Sequence, residues 1–153
     1  MGQLKVGDKA PAFSLKDQDG HAVSLADLQG RKVLLYFYPK ANTPGCTQQA
    51  CSVRDAMEEL AEAGVTPVGI SADAPAKQKS FDDKYALGFP LLSDSDHAVA
   101  RAYGAWGKKS MYGKTYEGII RSSFLIGEDG RVLQVSYKVK PQDTVPNAQE
   151  ALA

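Results

Sequence analysis

The sequence predicts an α/β fold in which a mixed central sheet is flanked by helices. Two continuous apolar runs, residues 32–38 and 65–71, have the composition of strands covered on both faces. A predicted helix follows each run, which makes crossover units, whereas the last two predicted strands are adjacent in sequence and favour an antiparallel hairpin. Crossovers together with a terminal hairpin require a sheet of mixed direction.

The first half of the chain alternates short strands, turns and one long helix. Its predicted elements are strands at 13–15 and 22–25, a helical turn at 25–29, a strand at 32–38 and a helix at 44–63. Asp17–Gly20 is a hairpin turn between the first two strands, so an N-terminal β-hairpin is expected. The long helix is predicted because apolar residues recur at spacings of three and four, and Gly64 follows its last turn.

The second half continues the alternation and ends in a strand pair. Its predicted elements are a strand at 65–71, a helix from Ser71 or Asp73 to Leu87, a strand at 90–92, a helix opened by Asp94 or Ser95, strands at 119–126 and 131–137, and a weak final helix at 143–152. The glycine-rich segment 104–118 is predicted to be a polar loop, with its lysines 108, 109 and 114 in solvent.

Length and composition indicate one domain over residues 1–153. Hydrophobic residues make up 43% of the chain and charged residues 24%, as in ordinary soluble domains. Because 18 basic residues balance 18 acidic ones, nothing favours a nucleic-acid partner. No apolar stretch approaches the roughly 20 residues of a membrane-spanning helix, and the N-terminus lacks the apolar run of a signal peptide. A cytoplasmic location without membrane attachment is therefore expected.

The two cysteines of the chain, Cys46 and Cys51, lie close together in the long predicted helix. The pair Thr43-Pro44 is typical of a helix start, with Thr as N-cap and Pro at the first helical position. Cys46 is then about the third helical residue, where backbone N–H groups have no intrahelical partner. These groups and the helix macrodipole favour an anion, so the sequence predicts a nucleophilic thiol biased toward thiolate.

Three further residues are candidates for the same site. Arg121 stands at the start of the apolar segment 122–126. If this segment forms a strand beside residues 32–38, the fixed charge of Arg121 would reach the thiol; the alternative is that Arg121 makes an ordinary ion pair. The Thr43 hydroxyl would lie near the sulfur, where it either caps the helix or also holds a small polar substrate. Pro39 stiffens the loop before the helix and limits water at the thiol.

Other classes of protein use cysteine pairs differently. A disulfide reductase of the thioredoxin type requires a Cys-x-x-Cys pair, but four residues separate these cysteines. A zinc- or redox-binding module would have to combine Cys46 and Cys51 with His21 and His97, which show no ligand spacing. We expect both histidines to lie at the surface or at a helix cap, and no metal or cofactor is expected.

The motifs together resemble a known family. Residues 39–46, PKANTPGC, have the Pro-x-x-x-Thr-x-x-Cys pattern of peroxiredoxins, and residues 36–51 resemble the bacterioferritin comigratory protein (peroxiredoxin Q) branch. The resemblance continues through the segments GIS at 69–71, LLSD at 91–94, YGAWG at 103–107 and RSSFLI at 121–126, and spans about Val6 to Tyr137. It implies the thioredoxin-like fold with peroxiredoxin insertions. The tail after Val139 is shorter and more irregular than the terminal helix expected for this family.

The resemblance also implies an activity and a role for each candidate residue. Cys46 corresponds to the cysteine that hydroperoxides oxidise to sulfenic acid, and Cys51 to the cysteine that resolves it as an intrachain disulfide. Thr43 and Arg121 correspond to residues that orient and polarise the peroxide, and Pro39 to the residue that shields the thiol. The implied protein is a monomeric antioxidant peroxidase that reduces hydrogen peroxide and organic hydroperoxides and is recycled by thioredoxin or a similar thiol reductant.

That disulfide conflicts with an intact helix. Residues five apart in an ideal helix have Cα atoms separated by about 8.7 Å. A disulfide needs Cα atoms within roughly 7 Å. The sequence therefore predicts that the segment from Pro44 to about Arg54 unwinds in each catalytic cycle, and Gly45 and the polar run 47–49 hold a helix weakly.

Overall fold

The computed structural model describes residues 3–153, apart from the side chain of Met111, and confirms the predicted α/β fold. The strands are β1 (Ser14–Lys16), β2 (Ala22–Ser24), β3 (Lys32–Phe37), β4 (Val65–Ser71), β5 (Leu91–Ser93), β6 (Trp106–Met111), β7 (Lys114–Ile119), β8 (Ser122–Ile126) and β9 (Val132–Tyr137). The helices are α1 (Pro44–Asp55), α2 (Met57–Glu62), α3 (Pro75–Tyr85), α4 (Ala98–Ala102) and α5 (Thr144–Leu152), with short 3₁₀ turns at Ala26–Leu28 and Pro141–Asp143.

Within the described residues, seven strands form one sheet in the order β2-β1-β5-β4-β3-β8-β9. Strands β3, β4 and β5 are parallel, whereas β8 pairs antiparallel with β3 and β9 antiparallel with β8. The N-terminal strands β1 and β2 form the expected antiparallel hairpin at one edge. The predicted mixture of crossovers and a terminal hairpin is thus confirmed, with β3 inside the sheet between β4 and β8.

Strand β3 divides the core into two halves, because successive side chains point to opposite faces. Leu34, Tyr36 and Tyr38 pack with Cys46 and the buried side of α1. Val33, Leu35 and Phe37 pack on the other face, in a cluster that includes Tyr103 and Phe124. All six side chains of the 33–38 run are at most 1% exposed, which explains the uninterrupted apolar sequence.

The long predicted helix is two helices that meet at Ala56. Pro44 occupies the first helical position, as expected, and Thr43 precedes it with extended backbone angles. The helical angles are lost at Ala56 (φ −96°, ψ 1°), where α1 ends and α2 begins. Neither glycine nor proline occurs at this point, so the sequence gives no sign of the break.

Two further predictions about local structure are wrong. The predicted loop 104–118 contains the antiparallel hairpin β6–β7, whose turn at Tyr112 and Gly113 has positive φ at both residues. A tyrosine seldom adopts such angles, so the sequence does not indicate a turn at this position. Helix α3 begins after Ala74, not at Ser71 or Asp73, whose side chains are used elsewhere.

The weak final helix is present as α5. Its Thr144, Val145 and Ala148 are buried, and the last two belong to the same cluster as Cys46 and Ala50. The chain therefore ends in a helix that packs against α1. None of the helices in the described residues is long and apolar enough to cross a membrane.

Candidate active site

Cys46 is the third residue of α1 and lies beyond the carboxyl end of β3. Its side chain is 1% exposed and packs in the cluster between the sheet and α1. The amide of the next residue, Thr47, makes the first intrahelical bond, to the Thr43 carbonyl at 2.8 Å. The amides before it are among the unpaired donors of a helix start, which favour negative charge at this end of α1.

Arg121 reaches this sulfur from the neighbouring strand. It precedes β8, and the pairing of Ser122 with Phe37 places it beside the carboxyl end of β3. Its Nη2 donates to Cys46 Sγ at 3.4 Å. The predicted approach of Arg121 to the thiol is therefore present, and no ion pair between Arg121 and a carboxylate occurs among the described residues.

The second guanidinium nitrogen is held by Gln49, a residue that the sequence analysis did not select. Arg121 Nη1 donates to Gln49 Oε1 at 2.7 Å, and Gln49 Nε2 donates to Thr144 Oγ1 at 2.8 Å. Gln49 and Thr144 are both 0% exposed. The only sequence signal is that Gln49 follows Cys46 by three residues and so shares its side of α1. A continuous chain of contacts thus joins the sulfur, the arginine, α1 and α5.

Gly45 leaves the space that the guanidinium occupies. A Cβ at this position would lie 3.1 Å from Arg121 Nη2 and 3.7 Å from Pro141 Cγ. Its backbone is not in the left-handed region, so the requirement for glycine here is one of space. The motif Gly-Cys therefore allows the arginine to approach the helix start closely.

The loop before α1 is fixed by Asp73, which the sequence analysis had assigned to a helix start. Its Oδ2 accepts from the Ala41 amide and from the Ser71 hydroxyl, both at 2.7 Å. Pro39 is half-buried where this loop leaves β3. The carboxylate therefore ties the loop that carries Pro39 and Thr43 to the end of β4.

Thr43 stands at the N-cap position, but its side chain does not cap the helix. Its hydroxyl instead donates to the Lys40 carbonyl at 2.8 Å. The predicted capping bond is therefore wrong. With its proton committed to Lys40, the Thr43 oxygen is oriented to accept a hydrogen bond from another molecule.

Two buried tyrosines, Tyr36 in β3 and Tyr38 directly after it, belong to the same cluster as Cys46 and differ in their hydroxyl partners. The Tyr38 hydroxyl donates to Gln78, and burial raises the pKa of Tyr38. The Tyr36 hydroxyl is buried with no hydrogen-bond partner among the described residues. Burial is the main cause that raises the pKa of Tyr36 well above its ordinary value, and the charges of Tyr38 and Cys46 add to it. Both phenols are therefore neutral.

Cys51 lies farther along α1 and is half-buried, and both thiols are free. One unbroken helix contains both residues, so their Cα atoms are about 8.7 Å apart by helix geometry. The two histidines proposed for the alternative metal site lie elsewhere, and the His97 ring stacks on Trp106 at 4.2 Å. Within residues 3–153 no group of three His, Cys, Asp or Glu side chains is placed to hold a metal ion.

This arrangement suits nucleophilic attack by sulfur on a small polar molecule. A fixed guanidinium stabilises a thiolate and any negative charge that develops beside it. The fold and site thereby define a class of protein, the thiol-dependent peroxidases of the thioredoxin-like fold, in which a cysteine at a helix start faces an arginine from the adjacent strand.

Comparisons with known proteins identify the family. Residues 6–135 match the model of the AhpC/TSA family. The chain is 58% identical over 135 residues to peroxiredoxin Bcp of Escherichia coli, covering 88% of this chain and 86% of that protein. It is 52% identical over 151 residues to a putative peroxiredoxin of Mycobacterium tuberculosis, covering 99% and 96%.

Solved structures agree with these relatives. Peroxidoxin BcpB of Mycobacterium tuberculosis has a TM-score of 0.88 at 37% identity, over 98% of this chain and 97% of that chain. Peroxiredoxin Q of Xanthomonas campestris has a TM-score of 0.86 at 36% identity, over 92% and 89%. The chain belongs to the AhpC/TSA family, as a peroxiredoxin related to Bcp and peroxiredoxin Q, and it is a thiol-dependent peroxidase.

Proposed function

We propose that Cys46 is the cysteine that hydroperoxides oxidise, that Cys51 resolves the product, and that thioredoxin recycles the disulfide. The observation that carries this proposal is the contact between Arg121 Nη2 and Cys46 Sγ at 3.4 Å. Cys51 has no such cation contact among the described hydrogen bonds and lies away from the helix start. The two thiols therefore have different roles.

In the first step the Cys46 thiolate attacks the terminal oxygen of the hydroperoxide. A sulfur–oxygen bond forms and the O–O bond breaks, so sulfur is oxidised by two electrons and the peroxide is reduced. The proton of the hydroperoxide ends on the leaving oxygen, which departs as water or an alcohol. Arg121 stabilises the charge that moves onto that oxygen, and the Thr43 oxygen accepts the peroxide hydrogen bond. Pro39 limits water at the thiol.

In the second step solvent protonates the Cys46 sulfenate to sulfenic acid, and the Cys51 sulfur attacks its sulfur. The S–S bond forms, the S–O bond breaks, and the hydroxyl group leaves with the Cys51 proton as water. Both cysteines belong to α1, whose intact geometry keeps them too far apart for a disulfide. We propose that α1 unwinds after oxidation. Unwinding would break the bonds of Gln49 to Arg121 and Thr144.

In the third step a dithiol reductant reopens the disulfide by thiol exchange, and thioredoxin is the proposed reductant. One chain carries both cysteines, so a monomer suffices for the whole cycle. The cycle needs a reducing compartment, which is the reason to propose the cytoplasm. The proposed substrates are hydrogen peroxide and organic hydroperoxides. The related bacterioferritin comigratory protein of Xanthomonas campestris is described with alkyl peroxide reduction activity.

A thioredoxin-coupled peroxide assay tests the roles of the two cysteines. Cys46→Ser should abolish turnover. Cys51→Ser should consume one hydroperoxide per chain and then stop, because the sulfenic acid has no resolving thiol. Full coupled activity in Cys46→Ser would overturn the proposal.

Amide exchange tests the unwinding step. The reduced protein should protect the hydrogen-bonded amides of α1, and the disulfide form should lose protection from about Thr47 to Arg54 while β3 stays protected. Unchanged protection of α1 in a chain whose disulfide is verified by mass would contradict the unwinding.

A further inference from the structure

Lys109 is held close to the segment that carries Arg121, although the sequence analysis placed it in solvent. It belongs to β6 of the hairpin that leads into Arg121, and it is half-buried. Its Nζ donates to the Ile119 carbonyl at 2.8 Å, two residues before Arg121. This bond directs the ammonium group toward the end of the hairpin that joins the active site.

Gly118 leaves space for the aliphatic part of the Lys109 side chain. A Cβ at Gly118 would lie 3.3 Å from Lys109 Cδ, so a larger residue would crowd the stem. The neighbouring Lys108, whose side chain belongs to the opposite face of β6, is exposed. The hairpin therefore holds one of its two adjacent lysines in a fixed position and leaves the other in water.

The charges around Lys109 are those of the reaction centre. Burial is the main cause that lowers the pKa of Lys109, the Arg121 charge lowers it further, and the Cys46 charge opposes the decrease. The ion pairs among the described residues join Arg54 to Asp55 and Lys79 to Asp19 and Asp83, and they include neither cation of the site.

Two cations, Arg121 and Lys109, therefore lie near one sulfur. Neither of them forms an ion pair with a carboxylate among the described residues. The chain as a whole has a net charge of zero, so this local excess of positive charge is not a property of the whole surface. A second anion, besides the Cys46 thiolate, would balance the charges of Arg121 and Lys109.

We propose that Lys109 is a specificity-determining residue that favours hydroperoxides with a negative group close to the reacting oxygen. The inference rests on the proposed reaction at Cys46 and adds a substrate class to it. The ammonium is fixed beside the site, so a carboxylate must lie within a few bonds of the hydroperoxy group to meet it. A carboxylate at the far end of a long chain would gain little, because charge interactions decay with distance and are screened by salt.

The test compares a short tertiary alkyl hydroperoxide that carries a carboxylate with its methyl ester, which has the same shape without the charge. Stopped-flow rates of the first oxidation are measured for the wild type, Lys109→Met, Lys109→Arg and Lys108→Met. We expect the wild type to favour the acid over the ester by about threefold to tenfold at low salt, the size of a partly screened charge pair.

Lys109→Met should remove this preference, so that the acid and the ester react at rates within about twofold of each other. Any effect of the lost charge on the thiolate changes the rates with the acid, the ester and hydrogen peroxide by the same factor, which cancels in the ratio of acid to ester. Lys109→Arg, which keeps the charge, should retain the preference, and so should Lys108→Met. Rising ionic strength should reduce the preference of the wild type.

Three results would overturn the role of Lys109. They are a wild type that does not favour the acid over the ester, a preference for the acid that survives in Lys109→Met, and a Lys108→Met variant that loses the preference to the same extent as Lys109→Met. An equal decrease of the rates with the acid, the ester and hydrogen peroxide in Lys109→Met would also overturn this role, because the ratio of acid to ester would be unchanged and the lysine would then support the site as a whole. Failure of the wild type to react with hydrogen peroxide would instead overturn the proposed function, and the present inference with it.

Discussion

Replacement of Tyr36 by phenylalanine should stabilise the protein. The Tyr36 hydroxyl is buried, in the cluster that also contains Cys46 and Ala50 of α1, and has no hydrogen-bond partner among the described residues. Its ring lies against Gly69, where a Cβ would be 3.0 Å from Tyr36 Cζ, so a ring of the same size fits without rearrangement. The substitution removes one polar atom and leaves the packing unchanged.

The expected gain is the cost of burying an unpaired hydroxyl, about 1–3 kcal/mol. For a domain of this size each kcal/mol raises Tm by about 2–4 °C. Part of the gain should apply to α1, because Tyr36 belongs to the same buried cluster as Cys46 and Ala50 of α1. Tyr36→Phe should therefore slow formation of the Cys46–Cys51 disulfide by about tenfold for each 1.4 kcal/mol that favours the folded helix.

Tyr38→Phe is the matched control. Tyr38 directly follows β3, belongs to the same buried cluster and is equally buried, but its hydroxyl donates to Gln78. Its removal leaves the buried Gln78 oxygen without that donor, so this variant should lose about 1–3 kcal/mol.

Urea unfolding of both variants measures the free energies, and rapid-quench alkylation of thiols after a pulse of hydroperoxide measures the disulfide rate. We predict that Tyr36→Phe raises the free energy of unfolding and that Tyr38→Phe lowers it. A Tyr36→Phe variant that is destabilised by as much as Tyr38→Phe would refute the reasoning, and it would show that the Tyr36 hydroxyl has a partner in solution.

Two other substitutions test the contacts that hold Arg121. Gly45→Ala should keep or raise Tm, because the backbone at this position suits alanine. The new Cβ would displace the Arg121 guanidinium, so the rate of reaction with peroxide, measured by stopped flow, should decrease by about tenfold, or 1.4 kcal/mol. Unchanged kinetics would show that Arg121 moves without cost. Thr144→Val removes the acceptor of Gln49 and should cost about 1–2 kcal/mol, with faster amide exchange in α1 and α5. Slower or unchanged exchange would mean that α5 does not stabilise α1.

The sequence predicts the sheet well because its central strands have little ambiguity. Residues 33–38 and the strand Val65–Ser71 are apolar because both of their faces are covered, and such runs form strands whatever surrounds them. The start of α1 was equally predictable, because Pro at the first helical position constrains the chain locally. Cys46 and Arg121 were selected for reasons of charge, and the structure brings the guanidinium to 3.4 Å from the sulfur.

The missed features depend on contacts between distant residues. Gln49 resembles any polar helical residue until Arg121 and Thr144 are placed on either side of it. Asp73 has the composition of a helix cap, but its carboxylate binds the Ala41 amide across a loop.

Backbone strain and burial hide other features. The hairpin β6–β7 was missed because Tyr112 adopts positive φ (53°), which sequence patterns assign to Gly, Asn or Asp. The isolated hydroxyl of Tyr36 cannot be seen in a sequence, since an apolar strand contains tyrosine for its ring.

The most direct test of the central claim, that Cys46 is the reacting thiol, is a single-turnover labelling experiment. Cys51→Ser retains one cysteine and Cys46→Ser retains the other. Each is treated with one equivalent of hydroperoxide, labelled with a reagent specific for sulfenic acid, and analysed by peptide mass spectrometry. We predict one label per chain on Cys46 in the first variant and none on Cys51 in the second. Labelling of Cys51 at a comparable rate, or peroxide consumption without a label on Cys46, would contradict the account.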